Sequence, residues 1–155
     1  MRLFFCVLLL ASASGKLLDM PGFYPIVASY DAIPTAWIPA LAWCLALTEL
    51  TLAIWLASGL KLMRAASAVV GLHAVFLAWI ATALYRGLPI ANCGCFGVYW
   101  ARPLTALTLL EDAVLLALAC HLWRGAARAS SGLNRGQDVI RNNAEPPVRP
   151  DPLSR

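Results

Sequence analysis

The sequence predicts an all-α protein, an integral membrane four-helix bundle with a disordered C-terminal tail, and two observations carry that reading. Of 155 residues, 61% are hydrophobic and only 13% charged, against roughly 25% charged in a soluble globular domain. The apolar residues also gather into four runs, Arg2 to Leu18, Ala36 to Leu60, Ala65 to Tyr85 and Pro103 to Trp123, near the length of about 20 residues at which a helix crosses the hydrocarbon core. One four-span domain is therefore expected over 1–123, followed by a basic, Pro-rich tail over 124–155.

The first run also has the layout of a cleaved signal peptide, with Met1-Arg2, an apolar stretch from Leu3 to Leu10 and then Ala11-Ser12-Ala13. Cleavage after Ala13 would give a leader below the usual length of about 15–30 residues. The apolar character continues across Lys16 to Leu18, so a retained span is expected, with Lys16 snorkelling toward the headgroups.

From Asp19 to Thr35 the chain carries Pro21, Pro25 and Pro34 among Phe23, Tyr24 and Tyr30. Prolines interrupt a spanning helix and aromatic rings favour the headgroup layer, which predicts a segment lying along the outer surface. The short basic link Gly59 to Arg64 predicts that the second and third spans are antiparallel neighbours. Within the third, Ser67, Gly71, Ala74, Ala78 and Thr82 form a stripe of small side chains of the kind that lets membrane helices approach closely. From Arg124 onward six arginines stand against Asp138, Glu145 and Asp151, and too few apolar residues remain to bury a core.

Lys and Arg set orientation. With both termini cytoplasmic, Arg2, Lys61, Arg64 and the six tail arginines lie inside, leaving Lys16, Arg86 and Arg102 outside. The loop after the third span then faces the compartment where disulfides persist. No repeat, phosphate-binding glycine loop or nucleic-acid patch is visible.

Charges within spans are the first functional signal, because a charge at mid-membrane costs about 2.5–3.5 kcal/mol on insertion scales. Glu49 falls near the middle of the second span, Glu111 and Asp112 near the middle of the fourth, and His73 near the middle of the third. Lys16 is the one basic group in a span able to reach a carboxylate. A buried polar network of Lys16, Glu49, Glu111 and Asp112 is expected, with Thr105 and Thr108 on the Asp112 face by their helical spacing. His73 is read as a neutral, hydrogen-bonded core residue.

Five cysteines are present. Cys6, Cys44 and Cys120 lie in spans, where a thiol usually acts as a small hydrophobe. Cys93 and Cys95 lie in a loop, separated by Gly94 and flanked by Gly87, Pro89 and Gly97. Bridging residues i and i+2 needs a turn, which Gly94 makes accessible. Such a pair suits thiol–disulfide exchange better than structural stapling, since so small a ring constrains the unfolded chain little. Two other readings stay open: a small transporter or soft-metal-handling protein in which the thiolates capture a cation, and a non-catalytic assembly subunit whose loop docks a partner. For exchange, Cys93, nearer the end of the third span, is the favoured resolving cysteine. Phe96, Tyr99 and Trp100 would hold the loop at the interface, within reach of a membrane quinone as an electron acceptor; the same residues equally allow the reverse, with the pair conducting reductant to the periplasm.

Gly15-Lys16-Leu17 closing the first span, the Tyr- and Pro-rich segment, Glu49, Cys93-Gly-Cys-Phe-Gly97 and an acidic residue in the fourth span together resemble the methylamine utilisation protein MauE family, itself similar to DoxX-type four-helix membrane proteins. The resemblance covers roughly Leu3 to Trp123. It implies a multi-pass protein of the bacterial inner membrane that helps mature a disulfide-rich periplasmic client, the β-subunit of methylamine dehydrogenase, beside a periplasmic thioredoxin-like partner. It also implies that Cys93 and Cys95 are the thiol pair and that Lys16 and Glu49 are the family's polar positions.

Overall fold

The computed structural model describes the backbone of residues 1–144 and the side chains of residues 1–132. Helix α1, Arg2–Leu17, has 16 residues and so spans about 24 Å, short of the ~30 Å hydrocarbon core. The chain then turns by 98° into α2, Met20–Ala28. Asp19 starts α2 by accepting a hydrogen bond from the Gly22 N–H at 2.9 Å, and Pro21 stands in the first turn, where its missing N–H has no intrahelical partner to lose. The Pro-rich segment thus breaks the span as its composition implies, yet forms a helix of its own across the bundle end.

A short 3₁₀ turn, Thr35–Trp37, leads into α3, Ile38–Ser58. The left-handed Gly59, φ 70°, ends α3, and α4 then runs Leu62–Tyr85. After a long loop, α5 begins at Ala106 rather than at the expected Pro103, because Pro103 donates no backbone hydrogen bond and the Thr105 hydroxyl instead accepts from the Thr108 N–H at 3.5 Å. Helix α5 continues to Ala144, past Trp123, where the apolar run ends; the last part of the tail lies outside the described residues. Three stretches, Thr35–Ser58, Leu62–Tyr85 and Ala106–Gly132, are long and apolar enough to cross a membrane, and α1 with α2 makes a fourth only as a bent pair.

The pairing departs from the expected neighbour order. Helix α1 packs along α3 and α4 along α5, whereas α3 and α4 touch only slightly despite their short link. The small residues that permit close approach explain this: Ala13, Ala42, Ala46, Ala53, Ala65, Ala66 and Ala119 are all 0% exposed. The stripe Ser67, Gly71, Ala74, Ala78 and Thr82 instead faces away from the bundle, and a β-carbon at Gly71 would meet open space. At one end, Phe5, Leu9, Leu52, Leu56, Val69 and Leu122 form the main core. At the other, Met20, Phe23 and Val27 of α2 cover Ile38, Ala42 and Ala46 of α3. Between these layers lie the buried polar groups Ser12, Lys16, Glu49, His73, Thr108 and Asp112.

Candidate functional site: a thiol loop seated on a buried ion pair

The loop after α4 folds back onto the bundle. Its arms are joined where the Cys93 N–H donates to the Arg102 carbonyl at 2.8 Å and the Leu104 N–H to the Ile90 carbonyl at 2.9 Å. Asn92 braces the turn from within, accepting from the Gly94 N–H at 2.9 Å and donating to the Gly97 carbonyl at 3.1 Å. Gly94 and Gly97 both adopt left-handed backbone, φ 76° and 67°, which costs other residues roughly 1–2 kcal/mol. The turn brings the Cys93 and Cys95 sulfurs to 3.1 Å.

At that separation the two thiols differ. The hydrogen bond between the two sulfurs holds the Cys93 thiol down to about 6, against the opposing effect of burial, with Arg102 adding to the depression. The same hydrogen bond, followed by burial and the charge on Cys93, pushes the Cys95 thiol well up. One sulfur is poised as a thiolate and the other as its proton donor. Tyr30 closes the loop from above, donating to the Cys93 carbonyl at 2.8 Å; burial, then the neighbouring sulfurs, raise its phenol pKa and keep it a donor.

Beneath the loop is the contact that joins two distant sequence motifs. Gly97 lies against the Gly15 carbonyl and Gly15 against the Phe96 carbonyl, so closely that a β-carbon at either glycine would collide with backbone. This approach delivers the Cys95 carbonyl to Lys16. The Lys16 Nζ donates to that carbonyl at 2.9 Å, to the Ser12 hydroxyl at 2.6 Å and to Glu49 at 2.8 and 3.0 Å. An ammonium has three protons, and here carboxylate, hydroxyl and carbonyl take all of them. The Ser12 hydroxyl, one turn before Lys16, faces both Glu49 at 2.9 Å and the Cys95 carbonyl at 2.6 Å with a single proton to donate. Lys16 does not snorkel to the surface: its side chain is 4% exposed and that of Glu49 1%.

The remaining charges separate. Asp112 meets His73 instead of Lys16, its Oδ1 lying 3.4 Å from His73 Nδ1. Thr105 and Thr108 do not line it; they bond to each other and Thr108 to the Pro103 carbonyl. Glu111, one residue away from Asp112, faces out and pairs with Arg102 at 2.8 Å. The expected four-residue network is therefore an ion pair, a histidine–aspartate pair and a surface salt bridge.

The family model for methylamine utilisation protein MauE matches residues 1–125, a range containing every residue of this site. The chain belongs to the MauE family. A relative from Paracoccus denitrificans, methylamine utilization protein MauE, is 31% identical over 129 residues, covering 83% of this chain and 69% of the relative. No solved structure matches the chain.

Several residues at the site were missed by sequence reasoning. Ser12 was hidden inside a signal-like Ala-Ser-Ala, although its four-residue spacing from Lys16 was a usable signal. Tyr30 and Asn92 act on backbone atoms across the fold, and no local pattern marks them. Among the described residues, no three of His, Cys, Asp and Glu converge as a metal site would require.

Proposed function

We propose that this MauE-family chain is a membrane thiol–disulfide redox protein that supports the maturation of periplasmic proteins, with Cys93 and Cys95 as its exchanging pair. The single observation that carries the reading is the pair of sulfurs 3.1 Å apart on a loop gripped through its backbone, so that oxidation and reduction proceed on a fixed platform. When the pair is oxidised, a client thiolate attacks Cys95, the more exposed residue of the two, and Cys93, half-buried, departs as the thiolate its low pKa favours. A mixed disulfide with the client forms at Cys95. The client's second thiolate then displaces Cys95, and the pair leaves the cycle as a dithiol with the client oxidised.

The charge bias of the loops supports a periplasmic position for the pair and cytoplasmic termini. The client class that family membership suggests is a disulfide-rich periplasmic protein of methylamine utilisation, the methylamine dehydrogenase β-subunit first, with a thioredoxin-like protein as exchange partner. Soft-metal handling is less well supported, since the two sulfurs lack a third ligand among the described residues.

Single serine variants test this. Cys93→Ser should accumulate a reductant-sensitive adduct, formed when Cys95 attacks a disulfide of an oxidised client or partner, releases one of its thiolates and has no Cys93 to resolve the bond; it is visible on a non-reducing gel of acid-quenched membranes, and Cys95→Ser should not form it. Full function in both variants with no adduct in either would sink the redox reading and leave the loop as a docking surface.

A further inference from the structure

A cavity of about 80 Å³ lies directly against the thiol pair, with Cys93, Gly94 and Cys95 in its wall. The rest of the lining is almost wholly apolar and aromatic, including Phe23, Phe76 and Trp79. Leu41 and Leu45 of α3 and Phe76 and Trp79 of α4 are only half-buried, so the cavity opens sideways between the two spans that scarcely touch. Placed in a bilayer, that side of two apolar spans would meet lipid. Of its polar lining groups, Lys16 has no free proton and Tyr30 is committed to the Cys93 carbonyl. Asp112 differs: it also lines the cavity, is 8% exposed, and its buried Oδ2 has no hydrogen-bond partner.

Electrons entering the Cys93–Cys95 pair must leave it, and the fold limits the route. Cys93 and Cys95 are the one pair of cysteine sulfurs in contact among the described residues. Cys6, Cys44 and Cys120 are free and lie on three different helices, so no second dithiol stands deeper in the bundle to pass electrons across the membrane. What the pair does adjoin is an apolar, aromatic slot open to lipid. A fully enclosed cavity of about 150 Å³ holds a benzene ring; this smaller, open-sided one admits the leading edge of a planar ring while the remainder stays between α3 and α4.

We propose that this cavity receives the ring of a membrane quinone, which takes the two electrons of the Cys93–Cys95 dithiol, with Asp112 carrying a proton between thiol and ring oxygen. The proposal rests on the redox reading above and specifies its electron acceptor. The step balances: the Cys93 thiolate, the Cys95 thiol, one quinone and one proton from solvent give one disulfide and one hydroquinone, the S–S bond forming as the Cys95 S–H bond breaks, with that proton and the solvent proton finishing on the ring oxygens. His73, edge-on to Phe5 and hydrogen-bonded to Asp112, fixes the orientation of that carboxyl, leaving Oδ2 for the transfer.

The test uses the full chain, reduced and purified in detergent, with a short-chain ubiquinone or a short-chain menaquinone as oxidant and oxidised glutathione as a control. Hydroquinone absorbance and alkylation of the remaining thiols are read together. One hydroquinone per disulfide is expected, with none from Cys93→Ser or Cys95→Ser. Leu45→Trp, which fills the cavity mouth, should raise the quinone KM without an equal fall in kcat, and Asp112→Asn should lower kcat by about a hundredfold. Oxidation by glutathione but by neither quinone would overturn the acceptor and leave the redox pair standing. Oxidation by none of the three would remove both. An unchanged KM in Leu45→Trp would place the quinone elsewhere, and an unchanged kcat in Asp112→Asn would end the proton role of that residue.

Discussion

Replacing Lys16 by Met keeps side-chain length and removes a cation. In the native structure that cation neutralises Glu49 and holds the Cys95 carbonyl at 2.9 Å. The variant leaves Glu49, 1% exposed, with Ser12 as its remaining hydrogen-bond donor. Removing one partner of a buried ion pair costs about 3–5 kcal/mol. The lost charge-assisted bond to the loop accounts for about 1.5–3 kcal/mol of the same total if taken alone. For a chain of this size the combined loss should lower the unfolding midpoint by roughly 10 °C, read from tryptophan fluorescence of the detergent-solubilised protein. The double variant Lys16→Met/Glu49→Leu removes the orphaned carboxylate as well and should regain part of that loss, giving a favourable coupling in a double-mutant cycle. A Lys16→Met protein less than about 1 kcal/mol below wild type, or a double variant no better than the sum of its single changes, would refute a tight buried pair.

Alkylation of Cys93 should follow its low thiol pKa. With a value of about 6, the residue is mostly thiolate at neutral pH, so iodoacetamide should label it rapidly there and slow as pH falls through 6, whereas an ordinary thiol gains reactivity only near 8.5. The linked stability of the pair rises as pH climbs from about 6 to the ordinary thiol value and falls above it, where the raised Cys95 thiol keeps its proton. Gly97→Ala sets a β-carbon against the Gly15 carbonyl at a left-handed φ; it should free the loop and slow disulfide formation more than Gly71→Ala, which meets open space. Tyr30→Phe deletes the donor to the Cys93 carbonyl and should cost about 1 kcal/mol in thermal unfolding. Reporter fusions at Ala91 and after Trp123 should report periplasm and cytoplasm respectively, and a periplasmic signal from the second would invert the topology.

How much of the site was legible in the sequence depends on what made each feature stand out. Lys16 and Glu49 were visible because ionisable residues in apolar runs are rare and costly enough to need a partner. Glu111 and Asp112 were equally visible but could not be told apart. Successive residues on a helix point about 100° apart, and apolar residues surround both in sequence, so only the packing of α4 on α5 shows that Asp112 turns to His73 while Glu111 meets Arg102. The small-residue stripe misled for a related reason: alanines lie on several faces of these helices, and the buried set could not be phased from spacing. Of the fold, the apolar runs marked the spans, but helix α2 was hidden by its prolines, which signal a break in the span without showing that a new helix starts at the break.

The motif Cys-Gly-Cys-Phe-Gly and the motif Gly-Lys read as separate signals along the chain and act as one object in the fold. Each glycine serves the other's backbone, and Lys16 binds the loop through the carbonyl of Cys95. A carbonyl is common to every residue type, so the grip on the loop does not depend on the sulfur. Positioning and redox chemistry are thereby carried by different atoms of one residue. This is why a serine at position 95 should keep the ion pair, the loop and the thermal midpoint while losing exchange, whereas Lys16→Met should lower stability first and alter thiol reactivity through it. A serine variant that unfolded like Lys16→Met would show that the sulfurs hold the loop in place, and the buried pair would then have to be reassigned to packing the ends of α1 and α3.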